Sequence, residues 1–349
     1  MRADLSVLEG AYLRDILDQP RALEDTLAAL KTNDPLQQIA TQLQQGKLKT
    51  AILTGMGASY HALHPLYLEL LSHGFTSLMV ETSELIHYQD RLLGPTALVV
   101  VVSQSGRSAE TVRLLAVNEG KSPVIAITNT ADSPLALQAN AAILTRAGKE
   151  SSVSCKTYVT ALMALQWFGH VLCGNDLGPR QRDLSAASPA ARNYLAHWKD
   201  HVLSLSESME NIASLFLVGR GPSLAAVGTG ALIIKESTHF HAEGMSGAAF
   251  RHGPFEMLSA RTFVVVFAGE SKTRSLNQGL LEDIRNKHGR GEFVAEDIHP
   301  GPTALAAVSA ATRPILEILP VQMITLALAA QVGREPGRFE LASKVTTNE

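Results

Sequence analysis

Four consecutive valines, Val99-Val100-Val101-Val102, constrain the fold of this chain more than any other feature. A β-branched run with no polar alternation suits a strand covered on both faces, and such strands belong to parallel sheets flanked by helices. The run stops in Ser103-Gln104-Ser105-Gly106-Arg107-Ser108, and a helical pattern from Glu110 to Asn118 follows at once. A strand that enters a Ser/Gly turn and then a helix presents unpaired backbone N–H groups and the positive end of a helix dipole, which suit an anion. Ser103, Ser105 and Ser108 add hydroxyl donors, and Gly106 lets the backbone approach a ligand. The same residues also make an ordinary polar turn with a serine N-cap. By itself the stretch leaves the phosphate cradle and the plain turn equally open.

The surrounding pattern tips that balance. Ala51-Ile52-Leu53 reads as a buried strand feeding Thr54-Gly55-Met56-Gly57-Ala58-Ser59, with a helix from about Tyr60 to His73. The Gly-x-Gly opening resembles a dinucleotide fingerprint, but Tyr60 stands where the third glycine belongs, so the signal for a nicotinamide cofactor is weak. Phe75 to Glu81, Pro123 to Thr128 and Ala142 to Thr145 read as further strands, with helical patterns at Glu84 to Leu92 and within Asn129 to Ala139. Alternating strand and helix predict a doubly wound parallel sheet, whose ligands sit outside the carboxyl ends of the strands. Both the Gly57–Ser59 turn and the Ser103–Ser108 turn fall at those ends, which favours the anion site. A third hydroxyl-rich turn, Glu150-Ser151-Ser152-Val153-Ser154-Cys155-Lys156, precedes a helix from about Thr160 to Leu172. Lys156 reads as a solvated charge or a phosphate partner. Gly174 to Leu184 reads as a polar loop and Pro189 to Asn211 as a helical connector.

The pattern then repeats. Leu215-Phe216-Leu217-Val218-Gly219-Arg220-Gly221-Pro222-Ser223 echoes Ala51 to Ser59 in residue type, and Thr262 to Phe267 echoes the valine strand. Helical pattern is expected from Leu224 to Glu243, near Ser275 to Asn286, and from Val321 to Gly333; Phe293 to Ala295 and Ile315 to Ile318 are expected strands. In place of the hydroxyl turn the second copy has Phe267-Ala268-Gly269-Glu270, whose acidic group disfavours phosphate. The first copy is therefore the expected anion holder. Ahead of both copies, Tyr12, Ile16, Leu23, Leu27, Leu30, Ile39 and Leu43 recur at helical spacing, interrupted by Pro20 and Pro35. The expected fold is α/β: two doubly wound parallel-sheet units in tandem, residues 49–185 and 186–349, with an N-terminal helical arm over residues 1–48.

Composition narrows the function classes. With 349 residues, 46% of them apolar, the chain is long enough for two cores. A formal net charge of −3 and no basic stripe give no reason to expect nucleic acid. Two cysteines, Cys155 and Cys173, make neither a disulfide framework nor a metal spacing. The start lacks an apolar signal core, and no uninterrupted apolar run has spanning length. The expectation is a soluble, cytoplasmic protein with no metal, no cofactor, and neither nucleic-acid nor membrane partners.

Few residues offer chemistry. Glu236 sits in a helical run beside Ile233, Ile234 and Phe240, where apolar neighbours can tune a carboxylate for proton transfer; an exposed helical glutamate fits the pattern as well. His239 and His241 are two apart, which on a helix puts them on different faces. His252, between Arg251 and Gly253-Pro254, is an imidazole in a turn. Lys344 is the one charge in Leu341-Ala342-Ser343-Lys344-Val345-Thr346.

Taken together and in order, Gly55-Met56-Gly57-Ala58-Ser59, Ser103-Gln104-Ser105-Gly106, Lys235-Glu236, His241-Ala242-Glu243, His252-Gly253-Pro254 and Lys344-Val345-Thr346 resemble the sugar isomerase (SIS) family. The resemblance is to the isomerase half of glucosamine-6-phosphate synthase and its stand-alone relatives, and it covers nearly the whole chain after the helical arm. It implies that Ser103, Gln104, Ser105 and Ser108 hold a sugar phosphate, with Ser59 and Ser154 near the sugar hydroxyls. It implies that Glu236 moves a proton between C1 and C2, that His252 opens the sugar ring from the other subunit of a homodimer, and that the tail closes with Lys344. Three positions depart from the synthase: Ala58 replaces a threonine, Ile233 replaces a lysine, and Ser343-Lys344 inverts a Lys-Ser pair. No cysteine precedes Cys155, so a counterpart of the synthase's glutaminase part is not expected. The expected reaction is therefore isomerisation of a phosphosugar without glutamine hydrolysis. The first choice is deamination of glucosamine 6-phosphate to fructose 6-phosphate and ammonia. A plain isomerase or a deglycase comes next, and a non-catalytic sugar-phosphate sensor last.

Overall fold

The computed structural model describes residues 4–297, 301–341 and 344. The first sheet holds β1 (Thr50–Gly55), β2 (Thr76–Glu81), β3 (Ala97–Val102), β4 (Val124–Thr128) and β5 (Ala141–Leu144) in the order β2-β1-β3-β4-β5. All of its pairings are parallel. Every residue of β3 is buried, as the valine run requires of a central strand. Val99 and Val101 pack on Ile52, Leu114, Ala126 and Leu135, the core beneath one face of this sheet.

The second sheet holds β6 (Ser214–Gly219), β7 (Ala242–Ser246), β8 (Thr262–Phe267), β9 (Arg290–Glu296) and β10 (Ala304–Leu305) in the order β10-β9-β8-β6-β7. Its pairings are also parallel. Counted from its own first strand, the order is that of the first sheet read from the other edge. The internal repeat is thus a repeat of topology. Phe216, Val218, Phe250, Val264, Val266, Leu280 and Ile284 form its core, with Phe216 and Phe250 edge to face at 5.3 Å.

The chain condenses into two compact units, neither continuous in sequence. The unit with the first sheet comprises Arg21–Lys149, Lys156–Ser185 and Leu341–Glu349. The unit with the second comprises Met1–Pro20, Glu150–Cys155 and Ala186–Glu340. The N-terminal stretch is helical, in Ala11–Leu17, Gln19–Ala29 and Asp34–Gln44. Its beginning condenses with the second sheet and its remainder with the first.

Several expected elements differ. Gly174 to Leu184 is not a loop: Leu177–Ser185 is a helix. Pro179 falls in its first turn, where proline is tolerated. Arg180 then ties the helix down through Glu69 Oε1 at 2.7 Å and Gln166 Oε1 at 2.8 Å. The helix expected to reach Glu243 is Leu224–Thr238; it stops at His239, which takes a left-handed conformation (φ 57°). His239 and His241 consequently do not share a helix. The next residues form β7, a strand hidden in sequence by its glycine and by the absence of β-branched residues. Ile315 to Ile318 is helical, within Arg313–Leu316 and Ile318–Gln331, because a short apolar run fits a buried helix as well as a strand. Among the described residues, Arg313–Gln331 is the helical stretch with the length and apolarity to cross a membrane; it is 94% buried, as a core helix is.

Candidate functional site

In the first sheet β1 has β2 on one side and β3 on the other, so the winding reverses between β1 and β3. Gly55 and Val102, the last residues of these two strands, are paired in register, and the turns that follow leave the sheet side by side. Doubly wound sheets bind ligands in the crevice at such a reversal. The turn after β3 is Ser103 to Ser108, and the turn after β1 carries Ser59 in the short helix Gly57–His61.

The hydroxyl turn is wired to its own backbone. Ser103 Oγ accepts the Gly106 N–H at 3.1 Å, and Ser105 Oγ accepts the Arg107 N–H at 3.2 Å. Ser108 is the N-cap of helix Ala109–Asn118, accepting from the Thr111 N–H. A serine oxygen that accepts from its own loop keeps its O–H for a ligand, as Ser103 and Ser105 do, whereas Ser108 Oγ also lies 2.8 Å from Thr111 Oγ1; the wiring leaves two hydroxyl donors beside a ten-residue helix N-terminus. The Gln104 carbonyl accepts from the Thr128 and Thr130 hydroxyls and the Asn129 N–H, which fixes the centre of the turn to the end of β4. Gly106 has φ +60°, and a Cβ there would lie 2.3 Å from Ser133 Oγ. The turn can therefore close only with glycine at that position. Arg107 is exposed and held by Asp132, through the Asp132 carbonyl at 2.9 Å and carboxylate at 3.2 Å.

Near the first turn, burial together with Glu81 raises the Tyr60 phenol above its ordinary pKa, and burial lowers that of His64. Lys156 is 4% exposed at the start of helix Lys156–Cys173, so it is not the solvated charge of the bland sequence reading. Lys344 is half-buried. The rest of the expected closing tail, Ala342, Ser343 and Val345 onward, lies outside the described residues.

The second-sheet unit holds Glu236, Ser154 and His252. Glu236 is half-buried in the last turn of helix Leu224–Thr238. Ile233, at the position of the synthase's lysine, is fully buried, so that position belongs to the core and supplies no cation. Ser154 sits in a tight loop closed by Glu150, whose Oε1 accepts the Cys155 N–H at 2.9 Å and the Cys155 thiol at 3.4 Å. Ser152, Val153 and Cys155 are buried while Ser154 is half-exposed. Burial above all holds the Tyr12 phenol well above its ordinary pKa, and Cys155, Glu236 and Glu150 add to the rise. One ring therefore feels both the Ser154 loop and the Glu236 helix. His252 is exposed, just past helix Gly247–Arg251 and before Gly253 (φ 141°).

The matching crevice of the second sheet is crossed by its own side chains. Arg313 Nη1 donates to the Gly269 carbonyl at 3.2 Å, Asn277 Nδ2 to the Ala268 carbonyl at 3.1 Å, and Ser223 to Glu317 at 2.8 Å. Arg220 Nε donates to Asn277 Oδ1 at 3.0 Å. The sequence reading named Glu270 here but missed Glu317, Arg313 and Asn277. Asn277 reaches it from helix Ser271–Asn286, Arg313 from helix Arg313–Leu316 and Glu317 from the junction after that helix, with no motif to mark them.

Residues 47–171 match the family model described as the SIS domain. The glutamine–fructose-6-phosphate aminotransferase (isomerizing) of Pyrococcus horikoshii is 29% identical over 98% of this chain, which spans 58% of that protein's length. Among solved structures, the C-terminal domain of glucosamine-fructose-6-phosphate aminotransferase from Francisella tularensis superposes with a TM-score of 0.84 at 21% identity, covering 95% of this chain and 98% of that one. A glucosamine-6-phosphate deaminase from Thermotoga maritima superposes with a TM-score of 0.75 at 16% identity, covering 97% and 100%. At those identities the two structures establish a shared fold.

Proposed function

We propose that this chain, which carries a SIS domain over residues 47–171, is a phosphosugar isomerase whose reaction on glucosamine 6-phosphate ends in deamination. One observation carries the reading: a turn of three hydroxyls, wired to its own backbone, at the winding reversal of the first sheet and at a helix N-terminus. In this reading Ser103, Gln104, Ser105 and Ser108 hold the phosphate, and Ser59 and Ser154 meet the sugar hydroxyls. Phosphate binding then orients the reacting carbons. His252, supplied by a second copy of the chain, moves the proton that opens the ring. Glu236 takes the proton from C2 and returns it to C1, turning the open-chain amino aldose into a ketose imine. Water adds to the imine carbon and ammonia leaves, giving fructose 6-phosphate. Lys344 stabilises charge on the sugar oxygens. The isomerizing relatives support the proton transfer, and the superposition on a deaminase shows that the same fold is compatible with deamination.

A panel of phosphosugars, scored separately for ammonia and for ketose, tests the proposal. Ammonia and fructose 6-phosphate in equal amounts from glucosamine 6-phosphate are expected. Ketose without ammonia from another aldose phosphate would leave a plain isomerase. Tight phosphosugar binding with no turnover would leave a sensor.

A further inference from the structure

The Ser154 loop is fastened to the Glu236 helix through a residue far along the chain. Ser152 Oγ donates to the Gly337 carbonyl at 2.6 Å, across 185 residues of sequence. The Gly337 N–H donates to the Ser237 carbonyl at 3.2 Å. Ser237 follows Glu236 in the last turn of helix Leu224–Thr238, where backbone carbonyls lack intrahelical partners. Gly337 thus satisfies an orphan carbonyl next to Glu236 with its N–H and takes the Ser152 hydroxyl with its C=O. It is buried and has φ +76°; a Cβ there would lie 2.2 Å from Ser152 Oγ and 3.1 Å from Tyr12 Cβ. No other residue type fits without breaking one side of the bridge. The start of the loop is fixed separately, by Asp15 Oδ2 accepting the Ser151 N–H at 2.8 Å.

We infer that Gly337 and Ser152 form a clamp that holds the loop carrying Ser154 against the Glu236 turn, and that Gly337 is a positioning residue for the isomerase reaction. The second half of this inference rests on the proposed function; the first half does not. With Ser151 pinned by Asp15, Ser152 by Gly337, and Cys155 by Glu150, Ser154 is the one half-exposed residue between buried neighbours. Its hydroxyl is presented at a position set by the same turn that carries the candidate base. Catalysis is sensitive to such placement, because a displacement of about 1 Å can cost about a hundredfold in rate.

Cys155 is a built-in reporter. It is fully buried and hydrogen-bonded within the loop, and burial pushes the other thiol, Cys173, up to about 12. In a Cys173→Ser background, Ser152→Ala is expected to speed labelling of Cys155 by a disulfide reagent at least about tenfold, through local opening of the loop. Gly337→Ala should do the same, and adding Ser152→Ala to it should relieve the collision with Oγ rather than worsen the effect. In turnover, Ser152→Ala should lower kcat about tenfold while changing KM less than about threefold. Unchanged Cys155 labelling in Ser152→Ala would overturn the clamp. Faster labelling with unchanged kcat would overturn the positioning role. Faster labelling in a protein whose parent chain turns over no phosphosugar would sustain the clamp and overturn the proposed function instead.

Discussion

Glu236 and Ser105 stand for the two kinds of residue the proposed reaction needs, one to move a proton and one to hold a phosphate. Glu236→Gln keeps shape and removes the base. It should lower kcat by about 10² to 10⁴ while calorimetric binding of a sugar phosphate stays close to wild type. Loss of both together would count against the base assignment. Ser105 has a smaller and different job: its oxygen accepts the Arg107 N–H at 3.2 Å and its proton is available to the anion. Ser105→Ala should raise KM about fivefold, the value of one hydrogen bond, with a lesser effect on kcat. The turn itself was legible in sequence, because a Ser/Gly cluster after a valine strand marks the strand's end and the next helix's start; by itself the stretch left a phosphate cradle and a plain capped turn equally open. That Gly106 must be glycine because Ser133 crowds it was not legible, since 27 positions separate them.

At the scale of elements, the strands that form sheet centres followed from their apolar runs, whereas β7, β10 and helix Leu177–Ser185 did not. Their sequences are weak formers, and partners brought in by the tertiary fold decide their state: β6 for β7, and Glu69 with Gln166 for the helix. The connection between the last two helices holds a testable consequence. Glu317 is 2% exposed, and burial raises its carboxyl from 4.5 to about 7, with Glu270 adding to the rise and Ser223 and Arg313 opposing it. Below about pH 4.5 folded and unfolded chains both hold the proton; between about 4.5 and 7 only the folded chain does, so stability falls as pH rises through that window. The loss approaches about 3 kcal/mol at most. Glu317→Gln keeps an oxygen for the Ser223 hydroxyl and cannot ionise. Its advantage over wild type in urea midpoint should widen between about pH 5 and pH 8. Parallel pH profiles for the two proteins would argue against the buried titration.

For the whole molecule, the proposed sharing of His252 makes activity a property of the assembly. His252 is exposed on its own chain, just past helix Gly247–Arg251. Glu236→Gln and His252→Ala should each be nearly inactive. Mixed in equal amounts and allowed to exchange, they should recover about a quarter of wild-type activity, since half the dimers are mixed and one of two sites in each is intact. No recovery after demonstrated exchange would place His252 in its own chain's site or outside catalysis. The same scale shows what linear division misses. Glu150–Cys155 follows the first sheet in sequence yet condenses with the second, taking Ser154 into the unit that holds Glu236.

The sequence by itself determined the local alphabet: strands where β-branched runs exclude water, helices where apolar residues recur at 3.6, an anion-suited turn where hydroxyls and glycine end a strand, and the repetition of all three. These are properties of neighbouring residues, and neighbours in sequence are sufficient to express them. Only the tertiary structure decided which distant groups close a loop or fill a crevice. Asp15, Gly337 and Glu317 owe their roles to hydrogen bonds across large stretches of chain. A buried polar group must find its partner wherever the fold puts one, and no spacing in the sequence encodes that place.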